Sequence, residues 1–160
     1  MIGSLLSAAS ANVLDVSQKI LQGYFTLVLV ADDIDRSWFL ALLSDVVDRF
    51  EWNCLAYCLM GNHYHLVVHT PKATLSAGMQ RLNGLYARRF NWRHGFEGHL
   101  FERPFRTNQG KTDEAVREFV RYTVLNSVRA GLTRTPGEWP WSSYRSSAGH
   151  VPSPRLLAAE

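Results

Sequence analysis

The sequence predicts an α+β domain in which an antiparallel sheet carries its helices on one face. Short apolar runs rich in Val, Leu and Phe alternate with longer segments whose apolar residues recur every three or four positions. The segments follow the order strand, helix, two strands, helix, strand and helix, and only a tight turn separates the paired strands. The 160 residues and 46% hydrophobic content suffice for one domain with a substantial core.

The first half of the chain supplies a strand, a helix and a hairpin. Residues 23–31, GYFTLVLVA, are rich in strand-forming residues and are expected to form the first strand. Residues 35–50 have apolar side chains at helical spacing behind polar capping residues. Residues 53–60 and 64–70 predict two strands, joined by the turn-forming pair Gly-Asn.

The second half adds two helices and an extended segment. Residues 74–95 begin with a plausible cap and are expected to be helical up to a glycine. Residues 98–109 are expected to be a strand or extended chain. Residues 112–131 have a threonine cap, acids in the first turn and a terminal glycine, which together predict a helix. The Pro-rich residues 135–144 are expected to pack through their tryptophans.

The boundaries of the domain follow from these elements. We expect residues 1–22 to be a helical or disordered leader, residues 23–147 to be the domain and residues 148–160 to be a flexible tail. The leader lacks the basic start of a signal peptide, and no apolar stretch reaches the roughly 20 residues of a membrane span. The chain's two cysteines, Cys54 and Cys58, favour a reducing, cytoplasmic compartment and a role in core packing.

Charge is distributed unevenly along the chain. Residues 1–80 hold 4 basic and 7 acidic residues, whereas residues 81–160 hold 13 basic and 7 acidic ones, and 12 of those 13 are Arg. The planar guanidinium suits phosphate, and arginines interleaved with aromatics, as in YARRFNWRHGF, are typical of proteins that bind single-stranded nucleic acid. A solvated arginine face around core aromatics is the alternative.

Two histidines lie two residues apart in the second hairpin strand. Because strand side chains alternate between faces, His63 and His65 are expected on the same face, about 7 Å apart. Such a pair can hold one divalent ion if a third ligand comes from elsewhere. Imidazole alone favours zinc or copper, whereas oxygen ligands and phosphate favour Mg²⁺ or Mn²⁺. The pattern alone is weak, and two histidines satisfied by neighbouring polar groups remain the alternative.

The last predicted helix contains a candidate for the third ligand. Tyr122 and Asn126 are four residues apart and therefore share one helix face. If that face packs near the histidines, Asn126 can present an amide oxygen to a metal ion and Tyr122 a phenol to a bound phosphate. The alternative for Tyr122 is a core aromatic whose hydroxyl finds a partner.

Four segments carry a family resemblance. AYCLMGNHYHLVVHTP, LNGLYARRFNWRHGFEGHLFERPF, RYTVLNSVRAGL and GEWPWSSY resemble the IS200-like Y1 (HUH) transposases, in their branch of REP-associated tyrosine transposases. The resemblance covers roughly residues 35–147 and implies a ferredoxin-like fold. It also implies that His63 and His65 bind a divalent ion, that Asn126 completes the metal site, and that Tyr122 is the nucleophile.

The resemblance implies an activity as well. The chain is expected to be a metal-dependent nuclease and strand transferase that acts on single-stranded or hairpin DNA through a 5′-phosphotyrosine intermediate. It would work with Mg²⁺ or Mn²⁺, as a monomer or homodimer. Candidate contacts to the DNA backbone are Arg88, Arg89, Arg103 and Arg106. Two alternatives remain: an inactive nucleic-acid-binding module on the same fold, and a phosphodiesterase that uses a bound water.

Several positions matter because they depart from the family pattern or compete with the nucleophile. Tyr86 occupies a recurrent family position and is interpreted as a packing or DNA-contact residue. Ser127 stands where the family usually has proline, and GHLFERPF stands where it usually has GHLFQGRF. The segment GYFTLVLVADDIDRSW is acidic where the family has a basic, Gly-containing segment that would help to bind DNA, which predicts altered substrate specificity.

Overall fold

The computed structural model describes residues 12–19, 32–101 and 104–157. Four strands form one antiparallel sheet in the order β2-β3-β1-β4. The strands are β1 (Val13–Lys19), β2 (Asn53–Leu59), β3 (His63–His69) and β4 (Arg106–Gly110). The helices are α1 (Asp33–Phe50), α2 (Leu75–His94), α3 (Asp113–Val124), α4 (Asn126–Arg129) and α5 (Tyr144–Ser147), with a 3₁₀ turn at Pro136–Glu138.

The sheet separates two hydrophobic clusters. Helices α1 and α2 cover the face that carries Tyr64 and Leu66, and their core includes the fully buried Phe39. Helix α3 packs on the opposite face, where Val116 contacts a smaller cluster around Val67. The sheet order and the α1–α2 layer confirm the predicted ferredoxin-like α+β fold. Helix α3 is an addition on the histidine face.

The central strand β1 lies in the segment predicted to be a leader. The structure therefore corrects that prediction for Val13–Lys19, while the strand predicted at residues 23–31 lies outside the described residues. β1 is paired on both sides, with β3 and with β4, and Val13 and Val16 are buried on its two faces. Because polar and apolar residues do not alternate in this segment, its pattern does not predict a strand.

Two further predictions are corrected at the C-terminal end. The helix predicted over 112–131 ends at Val124, and the backbone turns at Leu125 before the short helix α4. The tail predicted to be flexible packs along the edge of β2, where Leu156 is buried and Leu157 bridges to Cys54. Covering an edge strand in this way satisfies backbone groups that would otherwise be exposed.

The acidic segment ahead of α1 has a structural role. The side chain of Asp32 caps the helix by accepting hydrogen bonds from the backbone N–H groups of Ile34 and Asp35. Arg93, at the end of α2, donates to both carboxylates at 2.6 Å, and His94 contacts Asp35 at 2.9 Å. The hydrogen bond from Arg93 lowers the pKa of Asp32 to about 2. These contacts hold the start of α1 against the end of α2.

No helix in the described part of the chain has both the length and the apolar character that crossing a membrane requires.

Candidate functional site

The histidine pair lies in β3, on the sheet face that also carries α3. The rings of His63 and His65 have centroids 5.1 Å apart and are nearly perpendicular, at 82°. Nδ1 of His63 is 2.7 Å from Oδ1 of Asn62, an acceptor, so this nitrogen carries the proton. The other nitrogen, Nε2, is then the unprotonated one, and a metal ligand must be unprotonated.

The pair fits a divalent ion. A metal–nitrogen bond of about 2.1 Å puts a ring centre about 3.2 Å from an ion, so two imidazoles sharing one ion have centres about 4.5–5.2 Å apart. The observed 5.1 Å lies in that range. Among the described residues, no group of three His, Cys, Asp or Glu side chains is arranged to hold a metal.

Tyr122 contacts the histidine pair from α3. Its ring centroid is 5.7 Å from that of His65, with the planes at 72°, and 38% of the residue is exposed. The guanidinium carbon of Arg129 lies 4.5 Å from the centre of the same ring. A phenol and an imidazole of one chain thus meet at a surface that solvent can reach.

Asn126 lies at the junction between α3 and α4. It is buried, and its amide Nδ2 donates to the backbone carbonyl of Tyr122 at 3.1 Å. This bond gives a hydrogen-bond donor to a carbonyl in the last turn of α3, so Asn126 has a structural role at this junction. The donated bond uses the nitrogen of the amide and leaves the oxygen as an acceptor.

Ser127, which replaces the family's usual proline, is built into the same junction. Its backbone N–H donates to the thiol of Cys58, a contact that proline could not make. Its hydroxyl accepts a hydrogen bond from Thr133 at 3.2 Å. Cys58 pairs across the sheet with His65, but burial raises the pKa of this thiol to about 12, so it stays protonated. The predicted packing role of both cysteines is confirmed, since each is fully buried.

The other described tyrosines are poor competitors of Tyr122. They are Tyr57, Tyr64, Tyr86 and Tyr144. Tyr86 is buried on the far side of the sheet against Phe39, and burial raises its pKa strongly. Tyr86 is therefore a packing residue, which was one of the two roles predicted for it. Tyr64 is also buried there, whereas Tyr144 is half-buried and Tyr24 lies outside the described residues.

The four arginines predicted to contact DNA are not together. Arg106 is exposed in β4, where it lies opposite Ser17 of β1. Ser17 in turn lies opposite His65 of β3, so Arg106 and His65 are on the same face of the sheet, two strands or about 10 Å apart. Arg88 and Arg89 are exposed on α2, in the layer on the opposite side of the sheet. Arg103 lies outside the described residues.

Two features near the site were missed by the sequence reasoning. Arg129 lies seven residues, or two helical turns, after Tyr122, and that spacing was the available signal. Asp15 lies on the histidine face of β1, and its Oδ2 accepts from Asn108 at 3.2 Å. It fell in the supposed leader, so nothing in the sequence reasoning drew attention to it.

Comparison with known proteins adds to this geometry. The family model described as "Transposase IS200 like" matches residues 28–123, which include both histidines and Tyr122. The chain belongs to the IS200-like transposase family. It is therefore an enzyme of the DNA-cleaving transposase class, and the identification made from its motifs is confirmed. No curated protein sequence matches the chain.

Two solved structures resemble this IS200-like transposase. One is a REP-associated tyrosine transposase bound to a REP hairpin, with a TM-score of 0.72 and 14% identity over 94% of this chain and 87% of that one. This likeness supports the ferredoxin-like fold. The other is a candidate transposase from Deinococcus radiodurans R1, with a TM-score of 0.49 and 19% identity over 71% of this chain and 88% of that one.

Proposed function

We propose that this transposase cleaves and rejoins single-stranded DNA through a covalent bond to Tyr122. The observation that carries the proposal is the contact between the rings of Tyr122 and His65, 5.7 Å apart within one chain. A nucleophile must lie within reach of the group that holds its target phosphate. Tyr122 is the exposed tyrosine of the described residues, and it is the one that contacts the histidine pair.

The transposase family generally uses a divalent metal, and we propose Mg²⁺ or Mn²⁺ held by His63, His65 and Asn126. The 5.1 Å spacing of the two imidazole rings and the acceptor oxygen of the Asn126 amide support this ligand set. A bound divalent ion would polarise the phosphate and offset the charge that develops on it during attack. Oxygen from the amide and from the phosphate would favour Mg²⁺ or Mn²⁺ over softer ions.

The covalent step belongs to Tyr122. Its hydroxyl oxygen forms a bond to phosphorus, the bond from phosphorus to the 3′-oxygen breaks, and the phenolic proton is lost while the 3′-oxygen gains one. The products are a 5′-phosphotyrosine link and a free 3′-hydroxyl. Rejoining is the reverse reaction with a different 3′-hydroxyl, and it needs no ATP because the phosphotyrosine keeps the energy of the broken bond.

We propose single-stranded or hairpin DNA as the substrate. The basic second half of the chain supports this proposal, and the related structure was solved with a REP hairpin. Arg106 would contact DNA close to the histidines, whereas Arg88 and Arg89 would meet a more distant part of it. Arg103 stays a proposed contact and lies outside the described residues. Trp92 is 80% exposed one turn after Arg88, and this suits stacking on an unpaired base.

The test is adduct formation on a labelled hairpin oligonucleotide with Mn²⁺, separated on a denaturing gel. The wild-type protein should give a slow protein–DNA band, which Tyr122→Phe should abolish while DNA binding is kept. Tyr144→Phe is the matched control and should leave the band intact. Cleavage without an adduct would favour the phosphodiesterase, and binding without cleavage would favour the inactive module.

A further inference from the structure

The guanidinium of Arg129 stacks on the ring of the proposed nucleophile. Its guanidinium carbon lies 4.5 Å from the centre of the Tyr122 ring, the distance of a cation stacked on an aromatic face. Arg129 itself is exposed to solvent. A ligand approaching the phenol would therefore meet this cation as well.

The short helix that carries Arg129 is fixed in place. The backbone N–H of Leu132 donates to the carbonyl of Ser127 at 2.9 Å, and Thr133 donates to the Ser127 hydroxyl at 3.2 Å. At its start, Asn126 is tied to the carbonyl of Tyr122. These hydrogen bonds hold the backbone that carries Arg129 against the end of the helix that carries Tyr122.

The charge of Arg129 is not neutralised by a carboxylate among the described residues. The other arginines near Tyr122 differ in this respect: Arg117 pairs with Glu114 and Arg121 with Glu118, each at 3.0 Å. A guanidinium that stacks through its face keeps its N–H groups along the edge, where they can bind phosphate oxygens. Arg129 therefore combines stacking on the Tyr122 ring with a charge that no carboxylate of the described residues neutralises.

We propose that Arg129 positions the Tyr122 ring and donates a hydrogen bond to a non-bridging oxygen of the phosphate under attack. The inference rests on the proposed function of Tyr122. As the phenolic oxygen adds to phosphorus, one further negative charge develops on the phosphate oxygens, and it spreads until the 3′-oxygen leaves. A cation held beside that phosphate interacts more strongly with the transition state than with the bound substrate, which raises the rate rather than the affinity.

The experiment compares Arg129→Gln and Arg129→Lys with Arg134→Gln, an exposed arginine outside the site. Single-turnover cleavage at saturating hairpin DNA and the dissociation constant are measured separately. The substrate carries either a normal phosphate or a neutral methylphosphonate at the position that the wild-type protein cleaves. Circular dichroism and thermal melting of each variant check that it folds.

Removing one preorganised donor to a developing charge slows an enzyme by about 10²–10³-fold. We expect Arg129→Gln to slow cleavage by that order, with less than about tenfold change in affinity, and millimolar guanidinium to restore part of the rate. Arg129→Lys should fall between this variant and the wild type because it keeps the charge without the planar stack. On the methylphosphonate, Arg129→Gln and the wild type should cleave at similar rates.

Several results would overturn the proposal. Cleavage by a folded Arg129→Gln protein within threefold of the wild-type rate would remove Arg129 from the reaction, while a wild-type adduct on Tyr122 would keep the proposed function intact. An equal loss on both substrates would rule out the phosphate contact. If the Gln variant does not fold, Arg129→Lys at the wild-type rate overturns the positioning role. A wild-type protein that forms no adduct on Tyr122 overturns both proposals.

Discussion

Tyr122 and His65 meet within one polypeptide, with their ring centroids 5.7 Å apart. The contact exists because α3 packs on the sheet face to which β3 directs its histidines. Val116 and Val124 bury α3 against that face, while Tyr122 stays partly exposed beside the sheet. Within the described part of one chain, the proposed nucleophile therefore lies beside the proposed metal ligand His65.

Substitution of His63 or His65 should affect metal binding and cleavage, whereas substitution of His69 on the same strand should not. We expect His63→Ala and His65→Ala each to abolish Mn²⁺ binding by calorimetry and to slow cleavage by more than about 100-fold, because each supplies a ligand. His69→Ala is the control, since His69 lies in β3 on the same face but contacts the amide of Asn53 at 3.0 Å. Loss of Mn²⁺ binding in the His69 variant would move the proposed metal site along the strand.

The packing of α3 against the sheet should be disrupted by one added methyl group at Gly110. A Cβ added at Gly110 would lie 2.8 Å from Cγ2 of Val116, so Gly110→Ala should push α3 from the sheet and cost about 1–3 kcal/mol of stability. Cleavage should fall as well, because α3 carries Tyr122. Urea denaturation and single-turnover cleavage measure both effects.

Gly84→Ala is the control for that change. Nothing lies within 4 Å of a Cβ at this exposed helix position, and alanine there should stabilise α2 by about 0.5–1 kcal/mol without altering cleavage. A Gly110→Ala protein as stable and active as Gly84→Ala would show that the contact between α3 and the sheet is looser than described.

Stability should depend on the ionisation of Asp15. Burial raises the pKa of this carboxyl, and the hydrogen bond from Asn108 opposes the rise only in part. A raised folded pKa favours the protonated form, so its stabilisation is complete below the unfolded pKa of about 3.9 and is lost as pH rises through the folded value. Asp15→Asn cannot ionise and should therefore melt higher than the wild type at pH 7, but not at pH 3.5. An Asp15→Asn protein that melts lower at pH 7 would contradict this account.

Arg106 should contribute to DNA affinity through charge. Each phosphate contact to a single strand contributes about 0.7 to the slope of log affinity against log salt. We expect Arg106→Ala to weaken binding several-fold at low salt and to reduce that slope by somewhat less than 1. Arg117→Ala is the control because Arg117 is already paired with Glu114. Equal slopes for the Arg106 variant and the wild type would mean that Arg106 does not touch the DNA.

The parts of this structure that were predictable are those set by local pattern. The hairpin of β2 and β3 follows from two apolar runs around a Gly-Asn turn, and the shared face of His63 and His65 follows from strand alternation. Helices α1 and α2 follow from their apolar spacing. None of these elements depends on knowing where a distant segment packs.

The parts that could not be predicted depend on tertiary partners. β1 is paired with a strand on each side and covered by helices on both faces, so both of its faces are buried. Its residues therefore do not alternate between apolar and polar, and a polar residue such as Gln18 is buried within it. The end of α3 depends on the side chain of Asn126, which replaces a backbone bond to the Tyr122 carbonyl. The contact between Arg129 and Tyr122 requires that bend in the chain, so spacing alone could suggest it but not establish it.

The most direct test of the central claim is mass spectrometry of the protein after reaction with hairpin DNA and Mn²⁺. Nuclease and protease digestion should leave a nucleotide attached through phosphate to one peptide, and fragmentation should place it on Tyr122. A nucleotide attached to another residue, or complete cleavage of the DNA with no modified peptide, would contradict the account.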